Sequence, residues 1–268
     1  MDFIKTFFTE KLLKNNKHFY WDSENKKFNV IENLKSVNLN ILVGIDKQKD
    51  IIFKNTINFA KGNLTNNALL WGSRGNGKSS LIKSVFNEIS KNYKNLRLIQ
   101  LDKDNLNNIT NIYTIIQKFK KMRFIIFIDD LSFETINNDY KIIKSTLDGS
   151  IINQPSNIII YITSNRRHLM PRDMIDNEKS SAIHTDENID EKVSLSDRFG
   201  LWIGFHNISQ ETYLKIIKTY FDYYKIEYSD NDLNNSIKWS LSRGNRTGRT
   251  AWQYILNMAS ENNLRINF

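Results

Sequence analysis

Short apolar runs alternate with amphipathic segments through the middle of the chain. The apolar runs are rich in Ile, Leu and Phe and stand at 68–71, 96–101, 124–128, 157–163 and 201–205. Segments with helical periodicity separate most of them, for example 78–90, 109–119 and 140–147. Strands that are buried on both faces are continuously apolar, and helices usually connect such strands. The pattern therefore predicts an α/β fold in which helices cover both faces of a parallel sheet.

The two ends of the chain depart from this pattern. Residues 3–13 have the apolar spacing of a helix that packs on the protein body or, alternatively, binds a partner, and the aromatic-rich stretch 19–28 predicts a hairpin. Beyond residue 205 three helices are predicted, the first with Ser209 as its N-cap: 209–224, 230–242 and 249–262. We accordingly predict three parts: a helix and hairpin extension at 1–40, an α/β domain at 41–205 and a helical domain at 206–268.

One stretch of the α/β domain has no periodicity. Residues 170–196 are polar and locally acidic, which predicts a long surface loop. Long loops in compact domains are often functional, and a disordered insertion is the alternative.

Composition removes several classes of function. The 268 residues include no Cys, which excludes disulfides, thiolate nucleophiles and cysteine-ligated metal sites. The four His (His18, His168, His184 and His206) have no ligand spacing, which argues against a structural zinc site. Charged residues interrupt the N-terminal segment, and the apolar runs are too short to cross a bilayer. We therefore expect a cytoplasmic protein without a membrane partner.

The chain is basic. Lys and Arg number 38 against 29 Asp and Glu, a formal net charge of +9. Such an excess attracts nucleic acid, acidic proteins or anionic nucleotides. No basic stripe is visible along the sequence, so solvated surface lysines are the simpler interpretation and nucleic-acid binding stays an open alternative.

The most specific motif follows the first apolar run. Residues 72–79 match G-x-x-x-x-G-K-[ST], a phosphate-binding loop, between a predicted strand and a predicted helix. The glycines let successive backbone N–H groups converge on phosphate oxygens, and the helix N-terminus adds a favourable dipole. Lys78 is expected to reach the β- and γ-phosphates, and the Ser79 hydroxyl to bind Mg²⁺. The nucleotide-binding residues predicted here are Gly72, Ser73, Arg74, Gly75, Asn76, Gly77, Lys78, Ser79 and Ser80.

Polar residues end two further predicted strands. Asp129 and Asp130 follow the run at 124–128, where P-loop ATPases place a carboxylate that holds magnesium, and we assign Asp129 to the metal. Asp130 stands where many such ATPases have a Glu that orients the attacking water. Because Asp is one methylene shorter, either the water sits closer, or hydrolysis is slow, or Asp130 only supports the metal. Asn165 is the candidate for contact with the γ-phosphate or the attacking water.

Two segments with arginines complete the candidate site. Arg198 precedes the last predicted strand, and Arg246 and Arg249 lie at the start of the last predicted helix. A guanidinium beside a transferring phosphate stabilises developing charge, whether it comes from the same subunit or from a neighbour. Arginines in either segment would more often form surface ion pairs. They become candidates for phosphate contact only because the chain also has a phosphate-binding loop.

Taken in order, these motifs resemble the AAA+ ATPase superfamily. The chain is more closely similar to a mostly bacterial family of AAA+ proteins classed as a domain of unknown function. The phrases that carry this similarity are LLWGSRGNGKSSLIK, FIDDLSF, YKIIKSTLDGS, YITSNRRHL, EKVSLSDRFGLW and RGNRTGRTAWQ. The resemblance implies a P-loop NTPase of the AAA+ type, with a parallel sheet between helices and a C-terminal helical lid.

The resemblance also implies roles by position. Asn165 would be sensor one, and Arg198 would be the arginine finger that faces the ATP of a neighbouring subunit. Arg249 would be sensor two in the lid, with Arg246 as the alternative because the spacing is ambiguous. Three consecutive residues would border the adenine: Val43, Gly44 and Ile45.

The sequence thus predicts an ATP-binding, Mg²⁺-dependent ATPase that couples its nucleotide state to remodelling of an unknown macromolecular partner. We expect a homo-oligomer, with Asp130, Asn165, Arg198 and Arg249 as catalytic residues. Two alternatives stay open: a loader that binds DNA in an ATP-gated way, and an ATP switch that barely hydrolyses. A peptide-threading unfoldase is disfavoured, because polar residues follow Leu101 where such proteins have an aromatic–apolar–Gly pore loop.

Overall fold

Strands and helices alternate in the computed structural model, which describes residues 2–133, 138–148, 154–167, 169, 195 and 198–266. The strands of this part are β1 (His18–Asp22), β2 (Lys27–Val30), β3 (Ala68–Gly72), β4 (Leu96–Leu101), β5 (Arg123–Ile128), β6 (Ile158–Ser164) and β7 (Leu201–Phe205). Its α-helices are α1 (Asp2–Asn15), α2 (Asp46–Ala60), α3 (Lys78–Asn92), α4 (Ile109–Ile116), α5 (Asn138–Asp148), α6 (Gln210–Tyr224), α7 (Asp230–Ser242) and α8 (Gly248–Glu261). None of the described helices is long and apolar enough to cross a membrane.

The described strands form one sheet in the order β2-β1-β4-β5-β6-β3-β7. Neighbouring strands are parallel except for β1 and β2, which form an antiparallel hairpin. The carboxyl ends of β3, β5 and β6 therefore meet at one edge of the sheet, with Ile128 opposite Ile162 and Leu70 opposite Thr163. This edge carries the phosphate-binding loop after β3 and the paired aspartates after β5, with the end of β6 between them.

The predicted α/β fold is confirmed, together with the C-terminal helices that follow it. The helix at 230–242 has the predicted bounds, and the Ser209 side chain accepts a hydrogen bond from the Thr212 N–H as an N-cap does. Helix α2 was not predicted, although its buried residues Ile52, Thr56 and Phe59 recur with helical spacing. The predicted loop at 170–196 lies almost wholly outside the described residues.

The predicted N-terminal hairpin is present and continues the sheet. Strand β1 pairs with β4, placing Phe19 opposite Ile99. The Phe19 and Phe28 side chains are buried, with their ring centroids 6.2 Å apart, in the same apolar cluster as Ile99. The segment 1–40 therefore shares a hydrophobic core with the α/β domain and widens its sheet by two strands.

Three apolar clusters hold the fold together. One covers the sheet face against which α1, α4 and α5 pack, and a second covers the opposite face with α2 and α3. Strand β5 serves both, because alternate residues such as Ile126 and Phe127 belong to different clusters. The third cluster lies within the helical bundle of α6, α7 and α8, which we call the lid, and it includes Ile41 from the α/β side.

Arg97 fastens helix α1 to the sheet. Its side chain is 4% exposed, and its guanidinium donates hydrogen bonds to the carbonyl oxygens of Leu13, Lys14, Lys94 and Leu96. Two of these carbonyls belong to the last turn of α1, where the helix leaves them without intrahelical partners. Burial lowers the pKa of Arg97, but the group keeps its charge and opposes the negative end of the helix dipole.

Replacing Arg97 by Met is expected to lower the free energy of unfolding by about 2–3 kcal/mol, because several buried carbonyls lose a charged donor. Urea denaturation followed by circular dichroism measures the change. The matched control is Arg123→Met: Arg123 also donates to two carbonyls but at a more exposed position, so its loss should cost less than about 1 kcal/mol. Equal costs for the two variants would contradict the anchoring role of Arg97.

Candidate functional site

The phosphate-binding loop joins the end of β3 to the start of α3. Helix α3 begins at Lys78, directly after Gly77, which has a left-handed φ of 88°. At Gly72 a Cβ atom would lie 2.0 Å from the carbonyl oxygen of Phe205, so only glycine permits this approach to β7. Asn76 ties the loop to the segment after β7, since its side-chain amide donates to the His206 carbonyl at 2.8 Å. The loop is therefore held in place before any phosphate arrives.

Lys78 is buried at the centre of this loop. It is 7% exposed, and its ammonium donates to the carbonyl oxygens of Gly72 and Ser73 at 2.6 and 2.9 Å and to Asn165 Oδ1 at 3.2 Å. Burial lowers the pKa of Lys78 to about 8, while the nearby Asp130 and Asp129 favour its charged form. The buried Lys78 ammonium has only neutral carbonyl and amide oxygens as hydrogen-bond acceptors, so an anion that binds here would pair with a cation that water does not screen.

Asp129 joins three elements through one carboxylate oxygen. Its Oδ1 accepts a hydrogen bond from the Ser79 hydroxyl at 2.5 Å and another from the Thr163 hydroxyl. Ser79 comes from the first turn of α3, Asp129 from the end of β5 and Thr163 from β6. Hydroxyl and carboxylate oxygens are the ligands that Mg²⁺ prefers, so this pair fits the ion.

Asp130 lies beside it in an unusual backbone conformation. Its φ of 54° is left-handed, and its N–H donates to the Thr163 hydroxyl at 2.9 Å. The Asp130 carboxylate accepts a short hydrogen bond from the Asn165 side-chain amide, and Arg74 Nη2 stands 3.8 Å from its other oxygen. Asn165 thus contacts both Lys78 and Asp130, so the residue predicted as a sensor lies between the phosphate loop and the end of β5.

A cleft of about 520 Å³ opens above these residues, a size typical of small-molecule sites. Its floor is polar, formed by the loop and the ends of β5 and β6, and its wall is apolar. Two segments build the wall, one before α2 and one from the lid: Ile41, Val43 and Ile45, then Ile216, Tyr220 and Trp252. The Tyr220 and Trp252 rings meet edge to face with centroids 5.6 Å apart. A wall of this kind suits a planar base.

The lid contacts the phosphate loop directly. The Arg249 N–H, in the first turn of α8, donates to the Gly75 carbonyl at 3.0 Å. A Cβ on Gly75 would come within 3.1 Å of both Thr247 and Arg249, so glycine is also required for this close contact. A shallower groove continues from the cleft here and is lined by three guanidinium groups: Arg74, Arg243 and Arg249. The surroundings of the loop favour a polyanion.

The structure separates the two candidates for sensor two. Arg249 lines the cleft, whereas Arg246 points to the side, where its Nη2 lies 3.4 Å from Gln210 Oε1. Gly44 also lies off the cleft wall, and its Cα faces the Thr212 methyl group in the lid. Among the described residues, the cleft wall does not include Arg198, which is half-buried before β7 and whose N–H lies 3.4 Å from the Leu195 carbonyl.

The remaining residues of the predicted loop have clear places. Gly75, Asn76, Gly77, Ser79 and Ser80 line the cleft, while Gly72 and Ser73 support it from below through the Lys78 ammonium. The sequence interpretation missed Thr163, Tyr220 and Trp252. Thr163 carried a signal, because it precedes Asn165 at a strand end; the two aromatic residues looked like ordinary core positions of lid helices.

The described residues include no group of three or more His, Asp or Glu that could hold a metal ion. Mg²⁺ bound with a nucleotide needs no such cluster, since phosphate oxygens and water supply most of its ligands. Two protein ligands are enough in that case, and the hydroxyl of Ser79 and the carboxylate of Asp129, the two residues predicted to bind Mg²⁺, fit that requirement.

Comparisons with known proteins give the family and the fold of the chain. A family model described as "Protein of unknown function (DUF815)" matches residues 14–262, and no curated protein sequence matches the chain. Among solved structures, the RuvB Holliday junction branch migration motor of Thermotoga maritima superposes with a TM-score of 0.53 at 18% identity, covering 83% of this chain and 64% of that one. The chain thus spans less than two thirds of RuvB.

The replication initiator DnaA has the same architecture. Domain III of the Thermotoga maritima protein superposes with a TM-score of 0.55 at 18% identity, covering 86% of this chain and 91% of that domain. A DnaA structure bound to AMPPCP and single-stranded DNA gives a TM-score of 0.54 at 18% identity, covering 83% of this chain and 64% of that one. At such identities the likeness concerns the fold. With a family match over residues 14–262, the chain belongs to the DUF815 family and has the fold of the AAA+ ATPases.

Proposed function

We propose that the protein binds Mg²⁺–ATP between its α/β domain and its lid, hydrolyses it to ADP and phosphate, and uses the resulting lid movement to remodel a macromolecular partner. The observation that carries this proposal is the convergence of Lys78, Asn165 and the Ser79–Asp129 pair within hydrogen-bonding distance at the floor of one cleft. A cation, a polar sensor and a metal site are the parts that phosphoryl transfer requires.

The apolar wall and the polar floor divide the work of binding. The base packs against Tyr220 and Trp252 of the lid and against Val43 and Ile45, while the phosphates occupy the loop. The Lys78 ammonium then exchanges the carbonyls of Gly72 and Ser73 for phosphate oxygens. This exchange is favourable because a buried cation gains anionic partners.

Hydrolysis uses the pair Asp130 and Asn165. Their mutual hydrogen bond fixes both side chains beside the loop, so that Asp130 orients the attacking water and Asn165 contacts the γ-phosphate. Ser79 and Asp129 would hold the Mg²⁺ that accompanies ATP, and this ion would supply positive charge beside the phosphates. Arg249 supports the same charge from the lid, and its backbone bond to Gly75 makes lid position depend on loop conformation.

The arginine finger comes from a neighbouring subunit in this proposal. Arg198 lies outside the described wall of its own cleft, before the edge strand β7. A group on that side of the sheet is placed to meet a second copy, and repeated contacts of this kind form a ring or filament.

A nucleic-acid-directed loader is the second candidate. One structural neighbour, DnaA, is bound to both AMPPCP and single-stranded DNA, and RuvB is a Holliday junction motor. Retention on DNA that depends on ATP and falls with salt favours the loader. Tight ATP binding without turnover favours a nucleotide switch.

Replacing Lys78 by Ala removes the ammonium from the phosphate cradle. ATP affinity measured by calorimetry is expected to fall by tenfold or more, on the order of 1.4 kcal/mol or above. Lys91→Ala, an exposed position at the far end of the same helix, is the matched control and should bind as the wild type does. A folded Lys78→Ala variant with unchanged affinity would show that the nucleotide binds elsewhere.

The adjacent aspartates can be separated by substitution with Asn, each variant serving as the control for the other. Asp130→Asn should keep Mg²⁺–ATP affinity and lose turnover, and Asn tolerates the left-handed φ at this position. Asp129→Asn should also weaken the magnesium dependence of binding. Titrations with and without Mg²⁺, together with phosphate release, distinguish them; equal binding defects would refute the division of roles.

Mixing two inactive variants tests the neighbour's arginine. Arg198→Ala has an intact phosphate loop and Lys78→Ala an intact finger, so each should be nearly inactive alone while mixtures regain part of the activity. An arginine supplied in trans contributes roughly 10³–10⁵ in rate, so specific activity should also rise with protein concentration. Light scattering should detect ATP-dependent oligomers. A fully active monomer without complementation would make Arg198 a local structural residue.

A further inference from the structure

The edge of the sheet opposite the nucleotide cleft is strongly basic. At this edge strands β1, β4 and β5 begin and helices α1, α2, α3 and α4 end. We define the basic edge as residues 10–17, 61–63, 88–97 and 117–123. It carries eleven basic residues, namely Lys11, Lys14, Lys17, Lys61, Lys91, Lys94, Arg97, Lys118, Lys120, Lys121 and Arg123, and two acidic residues, Glu10 and Glu88.

The basic edge accounts for the whole charge imbalance of the protein. Its formal net charge of +9 equals that of the complete chain, and the remaining residues, which include the acidic stretch 170–197, sum to zero. Glu32, Asp148 and Arg198 also stand at this end of the sheet and together contribute one negative charge. The fold therefore gathers eleven of the 38 Lys and Arg residues, but only two of the 29 Asp and Glu residues, in the basic edge.

Hydrogen bonds show that these segments form one continuous surface. Arg97 donates to the carbonyls of Lys14 and Lys94, which links the end of α1 to the loop before β4. Arg123 then joins the next two segments, because its N–H donates to Asn95 and its guanidinium donates to Gly62. With strands about 4.8 Å apart, the three strand starts bring their charges within a span of about 10 Å.

Helix dipoles explain only a small part of this accumulation. Cations are favoured in the last turn of a helix, but in the described helices that end here only Lys14 and Lys91 occupy that position. These two are also the ones that pair with the acidic residues, Glu10 and Glu88. The lysines in the loops, such as Lys94, Lys118 and Lys121, have no such reason to be there.

Three positively charged side chains of the basic edge, those of Lys17, Lys94 and Arg97, lie close together. The Lys17 ammonium donates to the Ser90 carbonyl at 2.7 Å, in a position close to Lys94 and Arg97. Burial, together with these two cations, lowers the pKa of Lys17. Repulsion of this kind costs stability in the isolated protein and is relieved when an anion binds.

We propose that the basic edge binds the phosphodiester backbone of nucleic acid, independently of base sequence. Lysine provides a mobile point charge suited to phosphate, and nine of the eleven basic residues are Lys. A protein partner would use an apolar anchor at the centre of the interface; the described segments of the basic edge contain no large, well-exposed apolar side chain, and the exposed Leu64 stands at their margin, next to residues 61–63. This surface lies away from the cleft, so the proposal stands whether or not the cleft hydrolyses ATP.

The test is fluorescence anisotropy with a labelled duplex DNA of arbitrary sequence, repeated over a range of salt concentrations. The variant is the triple charge reversal Lys94→Glu, Lys118→Glu and Lys121→Glu. Its matched control reverses three exposed lysines of the lid, Lys215, Lys218 and Lys238, which produces the same net charge. Circular dichroism confirms that both variants are folded. Binding of polyglutamate, measured in competition, represents an acidic protein partner.

We expect the basic-edge variant to lose about 30-fold or more in affinity and to reduce the slope of log affinity against log salt by about three, one for each lost phosphate contact. The lid variant should lose less than about threefold. Equal losses in the two variants would show that net charge alone attracts DNA, which overturns the proposal. Polyglutamate that competes as well as duplex DNA would also overturn it, in favour of an acidic protein partner.

Discussion

The carboxylate of Asp129 holds the site together. Its Oδ1 accepts hydrogen bonds from hydroxyl groups of α3 and β6, so the relative positions of the phosphate loop, the end of β5 and the end of β6 depend on one atom. That arrangement requires β3, β5 and β6 to be parallel neighbours in a fixed register, which the two flanking apolar clusters maintain from opposite faces. The chemistry at the edge is thus supported by the whole sheet.

The buried strands and the phosphate loop could be predicted because each is encoded by a short, continuous stretch of sequence. Buried parallel strands are continuously apolar, so 124–128 and 201–205 are evident without tertiary information, and the phosphate loop is defined by glycine spacing and a single Lys. Helix α2 was overlooked because its polar residues outnumber its buried ones, and only packing reveals which face is inward. The sequence also gives no sign that Trp252 and Tyr220 line the cleft, because their position there depends on how the lid packs against the α/β domain.

The choice between Arg246 and Arg249 shows the same limit. The two residues are three positions apart at the start of α8, and spacing alone does not distinguish them. The N-cap at Thr247 sets the direction of the helix, and the bond from the Arg249 N–H to Gly75 then turns that residue toward the phosphate loop. Charge distribution is also invisible in sequence, because the fold brings together lysines from four separate segments.

The left-handed backbone at Asp130 explains why an aspartate stands where a longer glutamate is common. Asp and Asn are several-fold enriched at positive φ, because their short polar side chains can bond locally, whereas Glu has no such compensation. The backbone, held by the Thr163 hydroxyl, therefore dictates the length of the side chain. The reach of this side chain is thus fixed by main-chain geometry, and a longer side chain at position 130 would first need a different turn after β5.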